Sequence, residues 1–179
     1  MRITKPKEVD NTNNPAFTKQ VIELLTVANE FCLFTQKVND YSKEDIVIYY
    51  RRIIPLLYLK GSLVKDILPQ NPDQNERFVL EEEWETVFNN IRNKLYPDDH
   101  FWVCADPHSE DTEAEKASIA ECIADCYQDM RDFVMLYQKN LQDARENAVH
   151  EVVINFNDHW GPALTKALYA LHFLSGGTQ

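Results

Sequence analysis

A chain of 179 residues with only four glycines has few places to turn sharply. Average usage would supply roughly twelve or thirteen; here there are Gly61, Gly161, Gly176 and Gly177. They cannot make a phosphate-cradling loop, since neither a Walker A nor a G-x-G-x-x-G pattern is present. The G-x-S-x-G nucleophile elbow is missing, as are the Asn-Gly and Asp-Gly pairs that favour tight β-hairpins. What remains is a chain of long amphipathic helices, and the fold class expected is all-α.

The apolar spacing divides the chain into about six helices in one domain, residues 14–175. A flexible leader is expected over 1–13 and a short tail over 176–179. Asn14 and Pro15 suit the N-cap and first position of the first helix. Behind them Phe17, Val21, Leu24, Ala28, Phe31, Thr35 and Val38 recur at steps of four and three, the signature of a buried stripe. Ser42 opens the second helix, with Asp45 in a capping-box-like position. Its segment Ile53-Ile54-Pro55-Leu56-Leu57-Tyr58-Leu59 is apolar all the way round, which places this helix at the centre of the bundle. Pro55 should kink or restart it. Arg51 and Arg52 must then reach solvent or a carboxylate, and Gly61 suits a close helix crossing or a weak point.

Residues 66–76 carry two prolines and read as a connection. A third helix presents Leu80, Trp84, Val87, Ile91 and Leu95 on one face and ends at Pro97. Residues 97–112 hold five acids, no Lys or Arg, and the apolar island Phe101-Trp102-Val103. They read as a long connection without regular structure, with Phe101 and Trp102 plugging the end of the bundle. Connections of that length are often functional. The fourth helix carries Ile123, Tyr127, Met130, Val134, Tyr137 and Leu141 on its seam, and the fifth Val149, Val152, Val153 and Phe156. His159-Trp160-Gly161-Pro162 makes the corner into the sixth, with Leu164, Leu168, Leu171 and Leu174.

The 18 basic and 29 acidic residues leave a formal charge of −11. That balance repels nucleic-acid phosphates and anionic lipid, so neither nucleic acid nor membrane is an expected partner. No apolar run approaches a membrane span and the N-terminal residues lack a signal-peptide core, so a cytoplasmic protein with reduced cysteines is expected.

Three constellations could carry chemistry. Glu121, Asp125, Asp129 and Asp132 form an acidic ladder on the fourth helix. At about 100° per residue it lies roughly 160–240° from Ile123, opposite the apolar seam. It is expected to face solvent, where it suits a basic protein partner. Cys104, His108, Cys122 and Cys126 have spacings compatible with a Cys3His zinc site, but two cysteines four apart on a helix are also ordinary packing residues. Glu82-x-x-Glu85 resembles the first metal-binding element of the all-α nucleotide pyrophosphohydrolases, whose second element is Glu-x-x-Asp. The nearest counterpart here, Asp129-x-x-Asp132, begins with the other acid and lies far along the chain. No histidine lies in a nucleophilic or hydrolytic pattern; Asp98-Asp99-His100 reverses the His-Asp order of metal phosphohydrolases.

Four phrases carry a wider resemblance: Ala124-Asp125-Cys126-Tyr127-Gln128-Asp129-Met130-Arg131-Asp132-Phe133, Asp158-His159-Trp160-Gly161, Ala167-Leu168-Tyr169-Ala170-Leu171-His172, and Pro55-Leu56-Leu57-Tyr58-Leu59-Lys60. Over residues 17–175 they resemble a bacterial family, domain of unknown function 5063, common in Bacteroides-like organisms. The resemblance implies one intact helical domain from a bacterial cytosol and brings no catalytic residue with it. Cys104, Cys122 and Cys126 are not among the matching positions.

The expectation is therefore a non-enzymatic binding or regulatory module without a cofactor. Its interaction surface would comprise Asp125, Asp129, Asp132, Trp102, His159 and Trp160: carboxylates for a partner's Lys and Arg, with an indole as anchor. The alternative is a metal-dependent enzyme of the pyrophosphohydrolase type.

Overall fold

The computed structural model describes residues 14–104, 108 and 110–174. The leader expected over 1–13, the tail over 176–179, and Gly176 and Gly177 lie outside the described residues. Six helices follow in order: α1 (Lys19–Gln36), α2 (Lys43–Ser62), α3 (Glu81–Leu95), α4 (Ile119–Gln138), α5 (Gln142–Asp158) and α6 (Trp160–Leu174). Between α3 and α4 two strands, β1 (His100–Cys104) and β2 (Ala114–Ser118), pair antiparallel with Trp102 opposite Lys116. Among the described residues no helix is long and apolar enough to cross a membrane.

Local chemistry sets most helix starts. Asn14 caps a short 3-10 turn at Pro15–Phe17, and Thr18 then caps α1 by accepting from the Val21 N–H. The Ser42 hydroxyl accepts from the Asp45 N–H and donates to its carboxylate. Ser118 caps α4 at Glu121 N–H, while buried Asp99 accepts from Ser118 Oγ and Ala120 N at 2.7 and 2.8 Å. Asp99 thus serves α4 as an N-terminal anion, where the helix dipole favours one. The corner from α4 to α5 uses Asn140 at φ 59°, one of the few non-glycine residues that tolerate the left-handed region.

The expected stripe on α1 is borne out, with Val21, Leu24, Ala28, Phe31 and Thr35 all buried. The hub of the bundle, however, is α4 and not α2. Helices α1, α3, α5 and α6 all pack on α4, and thirteen of its twenty residues are buried, against six of twenty in α2. Helix α2 also runs unbroken through Pro55, which sits on its exposed side. Its apolar residues fall on two opposite faces. Ile46, Tyr50, Ile54, Leu57 and Gly61 point into the core, while Ile48, Leu56, Leu59 and Leu63 are 39–52% exposed. The sequence is apolar all round because the second face is also apolar, although no described element covers it.

Gly61 lies at a close crossing. A Cβ there would sit 2.2 Å from Trp160 Cη2, so the α2 backbone lies against the indole. At Gly161 a Cβ would meet the Phe156 carbonyl oxygen at 2.1 Å, which ties the α5–α6 corner to glycine.

The 97–112 segment is the other departure from expectation. Residues 100–104 form a hairpin strand, Trp102 is 65% exposed, and only Phe101 packs on the core. A hairpin closed by a longer loop carries no Asn-Gly signal, so the missing turn pair could not reveal it.

Candidate functional site

The acidic ladder on α4 is turned toward neighbouring helices. Because α3 and α5 flank α4, the side opposite the main seam is covered as well. Glu121 alone is exposed; Asp125 and Asp132 are half-buried, and Asp129 is only 9% exposed. Each of these three carboxylates is engaged inside the molecule. Asp125 accepts from Trp84 Nε1 of α3 at 3.0 Å. Asp132 accepts the backbone N–H groups of Phe78 and Val79 at 2.7 and 2.9 Å, pinning the segment that enters α3. Asp129 accepts from Asn155 Nδ2 at 3.0 Å and bonds His159 Nδ1 at 2.6 Å, which holds the α5–α6 corner. Nearby, Tyr127 donates to Glu83 and accepts from Gln36, linking α4 to α3 and α1.

The electrostatics agree with this structural use. Burial raises the Asp125 carboxyl above its ordinary value, against the nearby His159 charge and the Trp84 hydrogen bond. Asp132 is raised by burial too, opposed by its two backbone hydrogen bonds. His159 is raised by its hydrogen bond to Asp129, with burial opposing and the Asp129 and Asp125 charges helping. Its folded pKa therefore exceeds the unfolded value near 6.5. The stability this pair contributes is fully present below about pH 6.5 and is lost as pH rises through the folded pKa. Thermal melts should accordingly show the gap between wild type and His159→Gln narrowing as pH is raised from 6 to 9. A constant gap would mean that the ion pair adds nothing beyond packing.

Asp132 yields a sharper local expectation. Asp132→Ala leaves two amides without their acceptor and should cost about 2 kcal/mol in urea unfolding. It should also speed hydrogen exchange at Phe78 and Val79. Asp132→Asn keeps an acceptor oxygen while removing a charge that burial disfavours, so it should cost less than the alanine.

Of the six residues expected to form a surface, Asp125, Asp129, Asp132 and His159 are brought together around α4. Trp102 stands apart on β1, and Trp160 is fully buried, donating its indole N–H to the Val152 carbonyl at 2.9 Å. A buried indole cannot anchor a partner. The ladder is a set of internal fastenings, and the surface expected from it is not formed.

The metal-binding sets do not assemble either. Glu82 and Glu85 lie exposed on α3 while Asp129 is buried on α4. Cys104 is exposed at the end of β1, whereas Cys122 and Cys126 are buried in α4. Burial pushes the Cys122 thiol up to about 12 and Cys126 well above its usual value, the behaviour of packing thiols. Among the described residues no three His, Cys, Asp or Glu side chains gather to hold a metal.

The surface feature that does stand out joins the hairpin, α6 and α2. One cleft, about 530 Å³, is lined by Trp102, Val103, Pro162 and Lys166; a second, about 600 Å³, by Arg51, Pro55, Leu168 and Phe173. Thr165 and Tyr169 line both, so the two adjoin along α6. Trp102, Tyr169 and Phe173 are 65%, 56% and 67% exposed. Pro55 joins this groove to the outer apolar face of α2. Single exposed apolar residues are ordinary, but a contiguous patch marks an interaction surface. The sequence did signal it: Leu56, Leu59, Tyr169 and Phe173 are apolar at positions the core does not use.

Comparison with curated proteins finds no match. Among solved structures, the crystal structure of protein BF1032 from Bacteroides fragilis is similar, with a TM-score of 0.81 and 30% sequence identity. The alignment covers 92% of this chain and 98% of that one. The model of domain of unknown function 5063 (DUF5063) matches residues 15–176, the span on which the hub helix, the His-Trp-Gly corner and the groove all lie. The chain belongs to the DUF5063 family, and its fold is the all-helical bundle described above.

Proposed function

We propose that this protein is a non-enzymatic protein-binding module whose docking surface is the groove between the β-hairpin, α6 and the outer face of α2. One observation carries the reading: three aromatic side chains, Trp102, Tyr169 and Phe173, stand more than half exposed around two adjoining, mostly apolar clefts that form the groove. Aromatic residues are enriched where interfaces concentrate their binding energy. The second apolar face of α2 supports it, since exposing Ile48, Leu56, Leu59 and Leu63 to water has no benefit to the isolated fold. The α4 carboxylates have a structural role in this reading, holding rigid the frame on which the groove is built.

The test compares three baits, the full chain and its Tyr169→Glu and Leu59→Glu variants, in a bacterial cytosolic extract. Both positions are exposed, so the variants should melt like wild type. The expected result is a protein retained by the full chain and lost from both variants. Identical retention by all three would sink the assignment of the groove.

A further inference from the structure

We infer that the occupant of this groove is an acidic amphipathic helix of a partner protein, a statement that rests on the reading of the groove as a docking surface. The argument is one of charge. Among the described residues, none that lines the two clefts is Asp or Glu, in a chain where 29 of 179 residues are. The charged side chains that do line them are Arg51 and Lys166, one in each cleft. Neither is used in an ion pair among the described residues; the pairs there employ Lys19, Lys43, Lys60, Lys139 and three histidines. A third cation, Lys116, stands directly across the hairpin from Trp102. Directly opposed residues of an antiparallel pair project from the same face of the sheet, so Lys116 shares the Trp102 side.

In a protein of charge −11, the described lining of this aromatic groove thus holds cations and no acids. A basic partner would need the opposite arrangement. An acidic segment gains at every cation and is repelled by the rest of the surface, which guides it to the groove. The helical form is inferred from the exposed apolar stripe of α2 that adjoins the groove at Pro55. It spans residues 48–63, about 22 Å at 1.5 Å per residue, the length of a fifteen-residue helix laid beside it. An amphipathic helix laid in such a groove presents anchors at three- and four-residue steps.

The test selects a phage-displayed library of random sixteen-residue peptides on the immobilised full chain. A fluorescein-labelled synthetic copy of the enriched peptide is then titrated by fluorescence polarisation. The expected result is enrichment of peptides rich in Asp and Glu, with apolar residues spaced three and four apart. Binding should be lost in Tyr169→Ala and weakened about tenfold in the double variant Arg51→Glu/Lys166→Glu, as two rim charge pairs warrant. It should also weaken with added salt. Arg51 and Lys166 are solvent-accessible, and equal melting temperatures would confirm that the double variant is folded. Peptides that are basic or uncharged, yet lost in Tyr169→Ala, would overturn the acidic occupant and leave the groove standing. Acidic peptides indifferent to the charge reversal would do the same. Peptides indifferent to Tyr169→Ala, or no enrichment at all, would overturn both. Concentration-dependent dimerisation abolished by Tyr169→Ala would identify a second copy as the occupant and overturn the inference as well.

Discussion

Replacing Trp160 with alanine is expected to cost about 3–5 kcal/mol of folding stability, the range for removing a large, fully buried aromatic. For a chain of this size the midpoint of thermal unfolding should fall on the order of 10 °C. Trp160 opens α6, stacks at a tilt on Phe156 with ring centroids 4.8 Å apart, and lies flush against Gly61 of α2. It joins three helices, and its indole N–H satisfies a carbonyl of α5. The contact with Gly61 can be isolated. Gly61→Ala should destabilise the wild type by about 1–3 kcal/mol, because the new methyl overlaps the indole. In a Trp160→Phe background the same change should cost much less, since phenylalanine lacks Cη2 and Cζ2, the two nearest atoms. A double-mutant cycle by urea unfolding measures the difference. Strict additivity would mean that the close crossing is not what requires glycine at position 61.

Asp129→Ala comes next, with an expected loss of about 3 kcal/mol, from two hydrogen bonds to a charged, buried group. Asn155 and His159 would both lose their acceptor, and the corner into α6 would lose its fastening to the hub helix. Asp129→Asn separates charge from hydrogen bonding. It can still accept from Asn155, but it cannot hold protonated His159 as an ion pair. Its deficit should therefore be larger at pH 6 than at pH 9, because wild-type stability from the pair fades as His159 loses its proton. Equal deficits at both pH values would show that the pair matters as a hydrogen bond alone. These expectations concern stability. If Asp129→Asn instead left the fold intact and abolished binding of the groove peptide, the carboxylate would have a role beyond holding the frame.

The candidate site was half legible in the sequence. Helical spacing put Asp125, Asp129 and Asp132 on one face of α4, since it is a local property; that His159, beyond the end of α5, bonds Asp129 is a tertiary contact. The direction of that face was not legible, because the side of α4 opposite its seam is exposed only if nothing packs there, and α3 and α5 do. Periodicity read along one helix finds a face but cannot count the neighbours around it. The same gap misplaced α2. Its two apolar faces imply two partners, and whether both lie in the same chain is outside the reach of the pattern. Trp160 could not be told from Trp102 by type, although one is fully buried and the other mostly exposed. The hairpin escaped notice because residues 100–104 alternate in burial over only five positions and β2 is largely polar.

By itself the sequence determined what is governed by neighbours along the chain: helices in number and approximate length, the caps at Ser42 and Asn14, the seam on α1, and the shortage of glycine that leaves little else to build. It also carried the resemblance to the family whose model matches residues 15–176. Only the tertiary structure decided which helix is the hub, that the α4 acids are fastenings, and that the aromatic groove carries cations in an acidic protein. Those properties depend on which surfaces exclude water together, and burial of that kind is a sum over segments far apart in the chain.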